Sequence, residues 1–152
     1  MDNPDDLIDS HTLERLREAF TEGAMSAAMS STIAGSYPGT RALNEAVLST
    51  FYADASPLAP EQRELCLLGL LTLTGPPVSL GIHVYWATMV GLSVEQVFHV
   101  VTLGACYGGM PKLGIALPTV ETTLLLMDQS ARRGELAPHT MLANLVRGFV
   151  GK

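Results

Sequence analysis

The chain has 152 residues, a formal charge of −6 and a pI near 5.0, and its nine Lys and Arg residues do not cluster. Neither a nucleic-acid footprint nor a polybasic membrane patch is present. The length fits a single domain over 1–152, with residues 1–10 expected to be loose.

In chain order, Ser10 is expected to cap a first helix with Leu13, Leu16 and Phe20 on one side, running toward Gly35. Tyr37-Pro38-Gly39 then reads as a turn. Thr40 opens a second helix with Leu43, Val47 and Phe51 at helical spacing, closed by Ser56-Pro57. Pro60 followed by Glu61, Gln62, Arg63 and Glu64 has the form of a first helical turn, so a third helix is expected from about Pro60 to Thr74. A fourth follows Pro77 and stops at Gly91, and Ser93 with Gln96 makes a capping box for a fifth. The fifth reaches Tyr107-Gly108-Gly109. A sixth runs from near Lys112 to Arg133 through Pro118, and a last one follows Pro138. The fold class is therefore all-α, a single helical domain of about six to seven helices.

Hydrophobic residues make up 47% of the chain and charged residues 16%, with a mean hydropathy of +0.27. Between residues 65 and 134 only Glu95, Lys112, Glu121, Asp128, Arg132 and Arg133 are charged. That is too few to give every surface helix a polar face, so part of the surface is expected to be covered by further copies of the chain. A membrane span is not expected: Gly75-Pro76-Pro77 cuts the uncharged run into pieces shorter than the roughly 20 residues a span requires. The start, MDNPDDLIDS, is unlike a secretory signal, and Cys66 and Cys106 read as buried, reduced thiols of a cytoplasmic protein.

Glu64 and His83 are the obvious proton-handling groups in the most hydrophobic part of the chain, because Leu65 to Val94 holds no Asp, Glu, Lys or Arg. A buried Glu or His is costly unless it is hydrogen-bonded, paired or useful. Each also has a structural reading, Glu64 as a dipole-favoured residue at a helix start and His83 as a satisfied core residue.

The string Arg63-Glu64-Leu65 through His83, then Gly91-Leu-Ser-Val-Glu-Gln-Val97, then Ala105-Cys-Tyr-Gly-Gly-Met-Pro111, resembles the carboxymuconolactone decarboxylase and alkylhydroperoxidase-like superfamily over roughly residues 40 to 125. The resemblance implies a small helical domain that assembles into homotrimers or homohexamers. In the peroxidase branch a Cys-x-x-Cys pair precedes the histidine by seven and four positions, which are Pro76 and Ser79 in this chain. Without those thiols the family's peroxidase chemistry is not carried over. The decarboxylase branch often has Glu where Ser79 stands, so the same lactone substrate is not carried over either.

The remaining set permits cofactor-independent acid/base chemistry, with no metal. His83 is the candidate base and Glu64 its orienting group or second proton donor. Ser79, Tyr107 and Trp86 are candidate substrate-binding residues. A decarboxylase, isomerase or cyclase acting on a small, fairly apolar or carboxylated molecule, in a pocket at a subunit interface, is the first reading. A non-catalytic oligomer that binds a ligand or partner at a decayed site is the second, and a thiol peroxidase using Cys66 or Cys106 the third.

Overall fold

Eight helices and no strand make up the described residues, 7–32, 38–52 and 56–150, of a computed structural model of the chain. The all-α class holds. The helices are α1 (Ser10–Ala19), α2 (Glu22–Thr32), α3 (Pro38–Phe51), α4 (Pro60–Thr74), α5 (Pro77–Met89), α6 (Val94–Gly108), α7 (Met110–Arg132) and α8 (Pro138–Val150).

The extra helix comes from the N-terminal stretch, where one continuous helix was expected. Phe20 leaves the helical region at φ −89°, ψ 135°, and Thr21 restarts the chain, its hydroxyl accepting from the N–H of Ala24 at 3.1 Å. The cap of α1 is Asp9 rather than Ser10: its carboxylate accepts from the backbone N–H of Thr12 at 2.7 Å and from the Thr12 hydroxyl at 2.9 Å. Those bonds hold the Asp9 carboxyl below its ordinary range. Pro38 begins α3 instead of forming a turn before it, a place where proline's missing N–H costs nothing, and α3 ends at Phe51, before Ser56-Pro57. Gly35 and Tyr37, expected to end one helix and begin the turn to the next, lie outside the described residues, as do residues 1–6 of the expected loose start.

Elsewhere the punctuation is where the residues put it. Pro60, Pro77 and Pro138 each open a helix, and Ser93 with Gln96 closes its box, with Ser93 Oγ accepting from Gln96 N at 3.1 Å and Gln96 Oε1 accepting from Ser93 N at 2.8 Å. Gly91 takes φ 118° after α5, and Gly109 takes φ 91° at the joint between α6 and α7. Both conformations favour glycine.

Helix α5 is the centre of the fold, packed against α4, α7 and α8. Every residue from Leu80 to Met89 is buried except His83. A helix that is apolar all round belongs inside, which accounts for the uncharged run without a membrane. No helix of the described residues is long and apolar enough to cross one. The core adds Leu16, Met25, Leu68, Val97, Val101, Leu124, Met127, Met141 and Leu145 to this helix.

One expectation fails clearly. Cys66 and Cys106 are exposed, unpaired thiols, not core residues. They lie on outward faces of α4 and α6 that also expose Leu70, Leu103 and Tyr107. These faces are apolar in sequence but uncovered in the single chain, so hydrophobic neighbours in sequence did not mean burial.

Candidate functional site

Glu64 closes the first turn of α4, and His83 sits mid-way along α5, so the packing of these two helices decides whether the groups meet. They do: His83 Nδ1 is 2.8 Å from Glu64 Oε2. Glu64 is fully buried, while the His83 side chain keeps 12% of its surface exposed. A carboxylate oxygen accepts, so Nδ1 of the neutral ring carries the hydrogen and Nε2 keeps its lone pair. Among the described residues nothing bonds to Nε2.

The pair belongs to a larger buried array. Arg63, 6% exposed, reaches Glu64 Oε1 with Nε at 3.4 Å, the carbonyl of Phe51 with Nη1 at 3.3 Å, and Glu22 of α2 with Nη2. Glu22 Oε1 also accepts from Trp86 Nε1 at 3.1 Å. The Arg63 guanidinium lies over the Tyr52 ring, 4.0 Å from its centroid, and Tyr52 in turn packs on Trp86 at 4.5 Å between centroids. Trp86 is parallel to the imidazole of His83 within 5° at 6.1 Å. Burial, reinforced by the nearby Glu64 carboxylate, raises the Tyr52 phenol well above its ordinary range, so Tyr52 stays neutral.

The array is a chain of charge-assisted contacts, Glu22 to Arg63 to Glu64 to His83, walled by aromatic rings. Such a chain fixes the imidazole in one orientation, because turning the ring breaks the Nδ1 bond and leaves a buried carboxylate short of a donor.

Beside it lies an apolar cleft of about 360 Å³ between the end of α3 and the start of α4. Val47, Phe51, Leu58 and Leu67 line it together with Tyr52 and Arg63. Arg63 thus belongs both to the cleft wall and to the charged chain. A second depression, of about 400 Å³, runs along α6 at Glu95, Phe98, His99 and Thr102; its lining comes from one helix and holds none of the buried charged groups.

Of the residues expected from the sequence, the structure brings Glu64, His83 and Trp86 together. Trp86 is fully enclosed, so it backs the imidazole rather than facing solvent. Ser79 is half-buried in the first turn of α5, four positions before His83. Tyr107 is 86% exposed near the end of α6 and joins none of these hydrogen bonds. Glu22, Arg63 and Tyr52 were not anticipated as site residues. Glu22 carries no sequence signal beyond an acid in a helix's first turn, and its place depends on the break at Phe20-Thr21. Among the described residues, no three His, Cys, Asp or Glu side chains gather in a way that holds a metal ion.

No protein-family model matches the chain, and neither a curated protein nor a solved structure matches it.

Proposed function

We propose that the protein is a cofactor-independent acid/base enzyme of the decarboxylase, isomerase or cyclase type, a diverged member of the carboxymuconolactone decarboxylase and alkylhydroperoxidase-like superfamily. The observation that carries this reading is the 2.8 Å bond between His83 Nδ1 and Glu64 Oε2. It gives the imidazole one free nitrogen, Nε2, to take a proton from substrate, with the buried carboxylate stabilising the imidazolium that forms. Arg63 and Glu22 are positioning residues, acting on His83 through Glu64. Ser79, one turn from His83, is a hydrogen-bond partner for substrate.

Assembly into a homotrimer or homohexamer is part of the same proposal. Leu103, Tyr107, Met110 and Ile115 stand exposed at the junction of α6 and α7, away from the cleft between α3 and α4. Apolar surface of this extent supports contact with further copies. The two unpaired thiols support a reducing compartment such as the cytoplasm.

The test is His83→Gln, assayed against small apolar ketones, lactones and carboxylates on which the wild-type protein turns over. Turnover should fall by about a hundredfold or more with fold and oligomer retained, since acid/base groups commonly contribute 10² to 10⁴. Full activity in the folded variant removes His83 as the base.

A further inference from the structure

The charged chain and the cleft share one residue, and the way that residue is occupied constrains what the cleft can hold. Among the described residues, Arg63 is the only charged side chain in the cleft lining. An arginine at the wall of an apolar pocket ordinarily invites a carboxylate, because its fork matches one in geometry and charge. Arg63 is already committed. Nη2 goes to Glu22, Nε to Glu64 and Nη1 to the Phe51 carbonyl, while one face of the guanidinium is covered by Tyr52. Two carboxylates thus face one guanidinium, which leaves no uncompensated positive charge to offset the desolvation of an incoming anion. An anionic ligand would also meet the field of Glu22 and Glu64. What Arg63 still offers is hydrogen-bond donation, since three of its five N–H groups are engaged.

We propose that the cleft between α3 and α4 binds a neutral, apolar small molecule carrying a carbonyl-type acceptor, seated on Val47, Phe51, Leu58 and Leu67 with its oxygen toward Arg63. The inference rests on the acid/base reading of His83 and Glu64 for its chemistry, and the cleft is joined to that pair through Arg63, which lines the one and bonds to the other. A neutral carbonyl compound fits isomerisation or ring closure and disfavours decarboxylation, which needs a carboxylate.

Two side chains report on occupancy without any assay of turnover. Cys66 lies in the cleft lining and is exposed, and Trp86, the single tryptophan, packs on Tyr52 at the cleft wall. In a Cys106→Ser background, iodoacetamide alkylation of Cys66 should be slowed about fivefold or more by saturating 2-octanone, and Trp86 emission should shift over the same concentration range. Octanoate, the same chain with a carboxylate in place of the ketone, should protect roughly tenfold less well at equal concentration. Val47→Phe, which fills the cleft from α3, should abolish the effect of the ketone. Equal or better protection by octanoate, protection by neither compound, or a ketone effect that survives Val47→Phe overturns the proposal. So does a Cys66 closed to iodoacetamide in the unliganded oligomer, which would mean that a second copy fills the cleft. His83→Gln should bind 2-octanone like the wild type, so a failure of the acid/base reading shows in turnover and a failure of the ligand class shows in protection.

Discussion

Arg63 and Glu64 are neighbours in sequence, both buried at the head of α4, and the guanidinium of the first reaches the carboxylate of the second at 3.4 Å while the two side chains bond to different helices. Arg63 ties α4 to Glu22 of α2, and Glu64 ties it to His83 of α5. Two consecutive residues thereby couple three helices through charge. Burying charges is tolerable only because each has a partner, so removing one member exposes the cost of the others.

Arg63→Met should accordingly lower stability by about 3 to 5 kcal/mol, since it leaves two carboxylates near one another without their shared cation. Denaturant unfolding at fixed protein concentration measures it. Glu22→Gln, which keeps an acceptor for Trp86 Nε1 and is partly exposed, should cost distinctly less. Equal costs for the two variants would mean that Arg63 is not the hub.

Much of this arrangement was legible in the residues, and the reasons divide by element. The N-termini of α4, α5 and α8 could be read because Pro60, Pro77 and Pro138 sit where a helix begins, and α6 because Ser93 and Gln96 form a reciprocal cap. The boundary between α1 and α2 could not, because the nearby glycine, Gly23, falls inside the first turn of α2 rather than at the break, and the cue is one hydroxyl, Thr21. Glu64 and His83 stood out as polar groups within an apolar stretch, whereas Arg63 looked like one charge of an ordinary first turn. Its burial depends on Glu22, Phe51 and Tyr52, which are 41, 12 and 11 residues away in the chain, and no local pattern encodes that convergence. The thiols were misplaced for a related reason: hydropathy does not tell a face buried within the chain from one left uncovered by it.

The assembly prediction uses those uncovered faces. Light scattering at neutral pH and moderate salt should give the mass of a homotrimer or homohexamer at micromolar concentration. Replacing Leu103 and Tyr107 together with Glu should shift the mass toward the monomer without unfolding the helices, because both side chains are exposed in the single chain. A monomeric wild-type protein contradicts the prediction.

Peroxidase chemistry should be absent. Pro76 and Ser79 stand seven and four positions before His83, where the peroxidase branch of the proposed superfamily carries its redox pair, and the exposed Cys66 and Cys106 lie on different helices, α4 and α6. The wild type should reduce hydroperoxides no faster than the Cys66→Ser, Cys106→Ser double variant. Robust hydroperoxide reduction by the wild type, lost on alkylation, reverses this reading.

A pH dependence of stability follows from the connection between α7 and α8. Arg133, and then Asn144, hydrogen-bond Glu135 and hold its carboxyl below the ordinary glutamate range. A depressed folded-state value adds stability that is present above the unfolded value and lost as pH falls through the folded one. The advantage of the wild type over Glu135→Gln should therefore be seen at neutral pH and shrink below about pH 4. An advantage unchanged down to the acid transition would show that the contact is not ionic.

The central claim is that Glu64 holds His83 with its hydrogen on Nδ1 and leaves Nε2 free to act as a base. Long-range proton–nitrogen correlation spectra of protein labelled with ¹⁵N at histidine report which ring nitrogen of neutral His83 is protonated, with His83→Gln giving the assignment. The geometry at 2.8 Å predicts an Nδ1–H tautomer that loses its dominance in Glu64→Leu. A neutral His83 that carries its hydrogen on Nε2 in the wild type would contradict it.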